Sequence, residues 1–473
     1  MIAKLNTVEI GKLKNYAALI VSSLCLLIPA FWNHYPLLNP DTATYIESGF
    51  IPEMPSDRPI AYGLLIRLFT LNGLSLWLLV FAQAYIVSWL IFKVVKNLSG
   101  STPYVIPSLV IIFLLSIGTS LSWVVSQAQP DVFTSIALLC IVVLLMGKEN
   151  KWTNLILYIM FFFAVAVHLS HPALMIALLF SLFALSRVYI GSTNSKPAPK
   201  LLTLCVLSVI ALLTMVTPLS KSKHIFFMGS LLEKGVLKKY LDDNCSSKTY
   251  KLCTYKDALP QKADDFWWDP QSPLNKIGDW KTVKPEFNDI IHGIFTQPAY
   301  IKLYAAATTT QTAHQLITFN IGDGNQSFPS GSYVNRTLVK YFPDEIRQFT
   351  NAIQNDAPVL EKVSLPNKIF TIIIICCLPW LLYVFLTWKT LSKEMQLLFI
   401  VCITGILLNS LDCAAFGTLN GRYGCKAVWL IPFCLLVFAA SKLASKEKKC
   451  SSRLGDRGFT NRSPVRPQYA SSV

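Results

Sequence analysis

Two short runs near the start of the chain bring acids and a base together: Leu37-Leu38-Asn39-Pro40-Asp41-Thr42-Ala43-Thr44-Tyr45, then Ser56-Asp57-Arg58-Pro59-Ile60-Ala61-Tyr62. A carboxylate such as Asp41 can take a proton from an attacking hydroxyl or amine. A guanidinium such as Arg58 can stabilise the negative charge on a departing phosphate. Three later clusters carry similar groups. Gln127-Ala128-Gln129-Pro130-Asp131 ends on a carboxylate, and His168-Leu169-Ser170-His171-Pro172 holds two imidazoles three apart. Asn420-Gly421-Arg422-Tyr423-Gly424-Cys425-Lys426 sets two cations four residues apart, on one face of a helix.

Each cluster also has a purely structural reading. Asp41 in Pro-Asp-Thr-Ala-Thr makes a helix N-cap, as does Asp131, and capping is compatible with catalysis. Asp57 and Arg58 suit a turn before a helix whose first turn holds Pro59. The two histidines lack a third ligand at a fitting spacing, so they read as polar groups in a tight turn rather than as a metal site. Arg422 and Lys426 can snorkel to lipid headgroups. No metal is indicated, although an acidic pair, Asp264-Asp265, lies further along.

The elements that must position these residues are membrane helices. Residues are 53% hydrophobic and 14% charged, against about 25% charged in ordinary soluble domains. The apolar residues fall into ten blocks, 16–32, 74–92, 103–123, 130–146, 154–168, 172–190, 201–219, 369–388, 395–411 and 423–443. A membrane-spanning helix needs about 20 such residues, and several of these blocks are short. The first block follows Lys4, Lys12 and Lys14 and lacks a small-x-small cleavage site, so it reads as a retained anchor.

Lysine and arginine gather on the cytoplasmic side of a membrane. With ten spans, Lys93 and Lys96, Lys148 and Lys151, Arg187, Lys196 and Lys200, Lys389 and Lys393, the N-terminus and the basic tail all fall on one side. The expectation is therefore an all-α polytopic membrane protein of about ten transmembrane helices, with both ends cytoplasmic. Its parts are a cytoplasmic N-terminus (1–15), helices one to seven (16–219) with an outer loop at 33–73, an extracytoplasmic domain (220–367), helices eight to ten (368–443) and a tail without structure (444–473). The net charge of +16 lies mostly in the cytoplasmic loops and tail, so anionic lipid rather than nucleic acid is the partner it predicts.

Within the outer segment Phe266, Trp267, Trp268 and Trp280 offer a small core, Asp323-Gly324-Asn325 a turn, and the run from Tyr341 through Ile353 a helix start. Cys245 and Cys253 are expected to form a disulfide there. Cys413 and Cys425 flank an outer loop and are a second candidate pair. The run 59–71 is too short to span and reads as a helix lying on the membrane surface, with Arg67 reaching towards water. This topology places Asp41, Arg58, Asp131, His168, His171, Arg422 and Lys426 at one membrane face. Asn244, Asn325 and Asn335 stand in Asn-x-Ser/Thr sequons, glycosylation acceptors in a eukaryotic secretory membrane. The expected location is nonetheless a bacterial inner membrane.

The order of these features resembles the GT-C class of membrane glycosyltransferases, which includes protein O-mannosyltransferases and the aminoarabinose transferases. Asp41 with Tyr45, then Arg58-Pro59-Ile60-Ala61-Tyr62, look like the class's outer-loop Asp and its Arg-Pro-x-x-Tyr segment. Pro130-Asp131 resembles its second acidic position, and Arg422-Tyr423 before Trp429-Leu430-Ile431-Pro432 the end of its last helices. The resemblance covers roughly residues 1–220 and the last helices. Thr42 follows Asp41 where the class usually has a second acid, and the Asp41 to Arg58 spacing is loosely that of the class. It implies a sugar donor on a polyprenyl phosphate and a lipid, glycan or protein acceptor. Asp41 is then the general base, Asp131 its helper, and Arg58, Arg422 and Lys426 the phosphate ligands. Tyr45, Asp57, Tyr62, His168, His171 and Tyr423 complete the substrate-binding set. Two other classes use similar groups. A transporter or flippase for a lipid-linked sugar needs polar residues deep in the membrane, which the blocks scarcely contain. A polysaccharide polymerase or ligase lacks a reason for an Asp41 loop so early in the chain.

Overall fold

The computed structural model describes residues 2–51, 53–100, 103–189 and 197–457. Lys196 and the tail from residue 458 lie outside the described residues. The described chain is 77% helical and has no strands. Among the described residues, four helices are long and apolar enough to cross a membrane: Leu76–Ser99, Ser364–Leu386, Lys393–Phe416 and Gly421–Ala444. A fifth span is formed if Ala198–Thr214 and Val216–Glu233 count together, although they meet at 76°. The chain is thus an α-helical membrane protein. Of the other five expected spans, three coincide with the apolar helices Val105–Gly118, Val132–Met146 and Lys151–Ala166, of 14, 15 and 16 residues, and two lie in the longer helices Ile2–Leu26 and His171–Tyr189.

Local chemistry sets the helix ends. The Ser75 hydroxyl accepts from the Trp77 N–H, the Ser392 hydroxyl from Met395 and the Asn150 side chain from Thr153. Each such cap stabilises its helix by about 1 kcal/mol. Gly147, with φ of 70°, closes Val132–Met146 in a left-handed cap. Outward faces carry large exposed apolar side chains, among them Phe113, Phe180, Leu386 and Trp380. A soluble surface does not sustain so much contiguous apolar area.

The basic loops meet at one end of the bundle. Lys93 pairs with Glu149 at 2.7 Å and Lys148 with Glu394 at 3.0 Å, while Lys148 and Lys200 donate to carbonyls of Asn97 and Leu144. The carboxylate and guanidinium clusters lie at the opposite ends of these helices.

Several expectations need correction. Residues 220–367 do not share one core. Ile225 to Tyr300 form a separate apolar cluster that includes Phe266 and Trp267, whereas Trp268 is exposed. Phe319, Phe328, Phe342 and Phe349 instead join the core of the main bundle. The Glu345 carboxylate explains that docking. It accepts from the Tyr35 hydroxyl at 2.7 Å, the Ser75 hydroxyl at 2.5 Å and the Leu76 N–H at 3.1 Å. The run from Tyr341 starts no long helix but a 3-10 turn, Pro343–Glu345, followed by Ile346–Thr350. The last helix runs on to Arg457, so residues 444–457 are not without structure. Cys413 and Cys425 are both buried and unpaired, each within a helix packed against others. Cys245 and Cys253 do form a disulfide, and Asp323 to Asn325 do form a turn, closed by the Asn325 N–H on the Gly322 carbonyl. The expected surface helix is Ala61–Phe69, with Leu64, Leu68, Leu71 and Leu74 exposed; Pro59 precedes it.

Candidate active site at one end of the bundle

Asp41 lies in the first turn of the helix Pro40–Phe50, but it is not the cap. Asn39 holds that position, and its N–H donates to Thr42 Oγ1 at 3.0 Å. Asp131 stands at the N-cap of Val132–Met146, yet its side chain makes no capping bond. Both carboxylates are therefore free for other work, and both turn to arginines. Arg58 Nη1 lies 3.0 Å from Asp41 Oδ1, and Asp57 holds the same guanidinium through Nη2 at 2.5 Å and Nε at 3.1 Å. Arg422 Nη2 lies 3.5 Å from Asp41 Oδ2, and its Nε 3.3 Å from Asp131 Oδ2. The second contact is an ion pair without hydrogen-bond alignment, so Nε and Oδ2 remain buried and unbonded.

Asp41 keeps 34% of its side chain exposed, against 3% for Asp131. Asp41 is the carboxylate a substrate can reach. Burial raises its pKa, but Arg58 and Arg422 outweigh that and hold it below the ordinary carboxylate range. It is ionised at neutral pH.

A polar latch fixes the segments around these charges. The Leu37 N–H donates to the Ser126 carbonyl and the Ala128 N–H to the Leu37 carbonyl, both at 2.9 Å. Gln129 reaches Thr42 Oγ1 at 2.9 Å, and Asn39 reaches Gln127 at 3.3 Å. Gln127 donates to Asn325, and Asn325 to the Leu38 carbonyl. Gln354 accepts from the Leu38 N–H and donates to the Gln326 carbonyl. Behind the charges, Tyr62 bonds Gln83 at 2.9 Å, and Gln83 ties down the carbonyls of Val125 and Gln127. Glycines allow the close packing: a Cβ on Gly63 would come within 2.6 Å of the Tyr45 carbonyl.

The predicted residues thus separate into two groups. Asp41, Asp57, Arg58, Asp131 and Arg422 form one charge cluster, with Tyr45 under Arg58 at 5.1 Å and Tyr423 between Arg422 and Lys426 at 5.3 and 5.4 Å. Lys426 does not snorkel; it is 1% exposed. Tyr62 is fully buried behind Tyr45 and supports it. His171 is also buried with both ring nitrogens engaged, by the Ala164 carbonyl at 2.7 Å and Thr134 Oγ1 at 2.8 Å. It is a structural residue and not a ligand. His168 keeps one nitrogen for other use.

Sequence reasoning missed Asp412, at the end of Lys393–Phe416, whose carboxylate lies beside Ser170 and feels the Lys426 charge. The signal was there: an ionisable residue at the end of an apolar block is costly unless it serves a function. Among the described residues, no three His, Cys, Asp or Glu side chains converge as metal ligands.

No family model matches the chain, and neither a curated protein nor a solved structure shows significant similarity to it.

Proposed function

We propose that this membrane protein is a glycosyltransferase of the GT-C kind. It would move a sugar from a polyprenyl-phosphate donor to a lipid, glycan or protein acceptor at the extracytoplasmic face. The observation that carries the reading is the Asp41 carboxylate, reachable by solvent and set between Arg58 and Arg422 with Asp131 behind. The acceptor oxygen attacks the anomeric carbon and forms the new C–O bond. The bond from that carbon to the phosphate oxygen breaks, and its electron pair leaves with the lipid phosphate. Asp41 takes the acceptor proton, and inversion follows from this single displacement. Asp131 holds Arg422, and through it Asp41, in place. The basic loops gathered at the far end of the bundle favour placing that end in the cytoplasm, as in a bacterial inner membrane.

The test is incubation of the purified protein with labelled polyprenyl-phosphate sugars and an acceptor-containing membrane extract. Release of lipid phosphate together with labelled acceptor is expected. A protein that releases none, but carries the lipid-linked sugar across vesicle membranes, is a transporter and the proposal fails.

A further inference from the structure

The three cations of the cluster are not equivalent. Arg58 is held by Asp41 and Asp57, and Arg422 by Asp41 and Asp131. Lys426 is buried and, among the described residues, makes no ion pair. A desolvated ammonium without a close counter-ion is costly, and a bound anion offsets that cost. The groups around it are the Tyr423 ring, which it shares with Arg422, the Asp412 carboxylate, the His168 and His171 imidazoles and the Cys413 thiol.

His168 is set as a donor. Burial first, and then the Lys426 and Arg422 charges, hold its pKa well below the ordinary value, so the ring is neutral and carries one proton. The Ser170 N–H points at Nδ1 from 3.4 Å, with the Ser170 hydroxyl at 3.0 Å. An N–H can only donate, so Nδ1 accepts and the proton sits on Nε2. His171 stacks on this ring at 5.0 Å and fixes its plane. The charged groups that act on the ring, in order, are Lys426, Arg422, Asp41 and Arg58.

We propose that Lys426 Nζ and His168 Nε2–H form the oxyanion subsite that receives the donor's phosphate, while Arg58 and Arg422 serve to hold the carboxylates. This rests on the transferase reading and deepens it. It reassigns the phosphate from the arginines to the lysine and the histidine. It also selects the class of donor. Arg58 and Arg422 are already paired with Asp41, Asp57 and Asp131, so Lys426 is the one cation of the three left to a ligand, and the single charge of a phosphodiester matches it better than the several charges of a pyrophosphate. The recognised chemistry is a single phosphate, borne on a lipid or free.

The experiment measures binding of geranyl phosphate, geranyl diphosphate and inorganic phosphate to the full chain in lipid nanodiscs by titration calorimetry. Sugar transfer and thermal melting are followed in parallel. Geranyl phosphate should bind more tightly than either of the others. Lys426→Gln should weaken it by about tenfold to a hundredfold, as expected for loss of a charge-assisted hydrogen bond. His168→Gln, which leaves the buried cation in place, should weaken it by about tenfold, and serves if Lys426→Gln melts too low to measure. Unchanged affinity in the folded variants, or tighter binding of the diphosphate, overturns the subsite. Inorganic phosphate binding as tightly as geranyl phosphate overturns the lipid assignment. Lys426-dependent binding in a protein that never transfers sugar leaves the subsite standing and sinks the transferase. Transfer with binding indifferent to Lys426 and His168 does the reverse.

Discussion

Asp41→Asn separates chemistry from folding. The substitution keeps the side chain's size and removes one charge from between Arg58 at 3.0 Å and Arg422 at 3.5 Å. Asn39, not Asp41, caps the helix, so no cap is lost. With a third of the side chain exposed, solvent screens both ion pairs, and each contributes about 0.5–1 kcal/mol. The expected destabilisation is about 1–2 kcal/mol, a few degrees of melting temperature, which leaves the protein folded. Loss of a general base costs about 10²–10⁴ in rate, or about 3–5 kcal/mol of barrier. The two effects differ enough to be read separately. The pH dependence adds a check. The unfolded carboxyl titrates near 3.9, and Arg58 and Arg422, against burial, hold the folded one lower. The stability it contributes is therefore complete above about pH 5 and is lost as pH falls through the folded value. Its acid limb in the rate profile lies below about pH 4 on the same grounds. The assay is release of lipid phosphate at saturating donor, in matched detergent, beside Asp131→Asn, which should cost less. Full turnover by Asp41→Asn, with none by Asp131→Asn, refutes the assignment of the base. Full turnover by both refutes the site.

Arg58→Gln removes the nearer of the two cations that lower the Asp41 pKa, so the acid limb of turnover should move to higher pH; Arg58→Lys, which keeps the charge but loses the planar fork that holds Asp41 and Asp57, should lower turnover more than it lowers expression, with donor binding little changed. Replacing Cys245 and Cys253 together by serine opens a short loop and should cost about 2–3 kcal/mol in a reversible melt, and a cytoplasm-restricted thiol reagent should label neither cysteine in reduced wild-type protein if that segment lies outside. Gly63→Ala forces a methyl against the Tyr45 carbonyl and the Gly49 nitrogen, 2.6 and 2.7 Å away, and should lower both stability, by about 1–3 kcal/mol, and turnover, because Tyr45 lies under Arg58.

The helices were legible because each apolar block announces itself by composition over some 15 to 20 residues. Their ability to span was less legible: Thr217-Pro218 follows a 76° bend inside one block, and three blocks make helices of 14, 15 and 16 residues, shorter than a bilayer needs. The outer segment misled because its aromatics look alike in sequence. Phe266 and Trp267 build a satellite core, whereas Phe342 and Phe349 serve the main bundle through Glu345, a carboxylate whose three donors come from far away in the chain. The site was legible residue by residue but not in its pairing. Asp41, Asp131 and Arg422 each have a sufficient local role, and only contacts across about 290 and 380 residues show that none is spent on a cap. His171 reads like His168 in sequence; the Thr134 and Ala164 bonds that remove it from the site have no local signature.

A carboxylate held below its ordinary pKa by two arginines is a weak base, and that bears on how Asp41 can serve. A base that had to strip the acceptor hydroxyl before attack would need a pKa near the working pH. Displacement at an anomeric carbon does not ask this. Positive charge builds on the sugar as the phosphate leaves, and the acceptor oxygen loses its proton late, once it is partly bonded and far more acidic than any carboxylic acid. Even a weak base takes that proton without delay. In the proposed transfer, what Asp41 would supply is an oxygen at a fixed place, ionised throughout, aimed at the acceptor hydroxyl. Arg58 and Arg422 provide both properties at once: they keep the carboxylate charged, and they fix its two oxygens in different directions. Position rather than basicity is then the limiting quantity. Asp41→Glu, which keeps the acid but displaces it by a methylene, should therefore lose nearly as much turnover as Asp41→Asn, with donor binding by Lys426 and His168 unaffected. Near-wild-type turnover by Asp41→Glu, measured in the same assay, would show that basicity and not placement sets the rate.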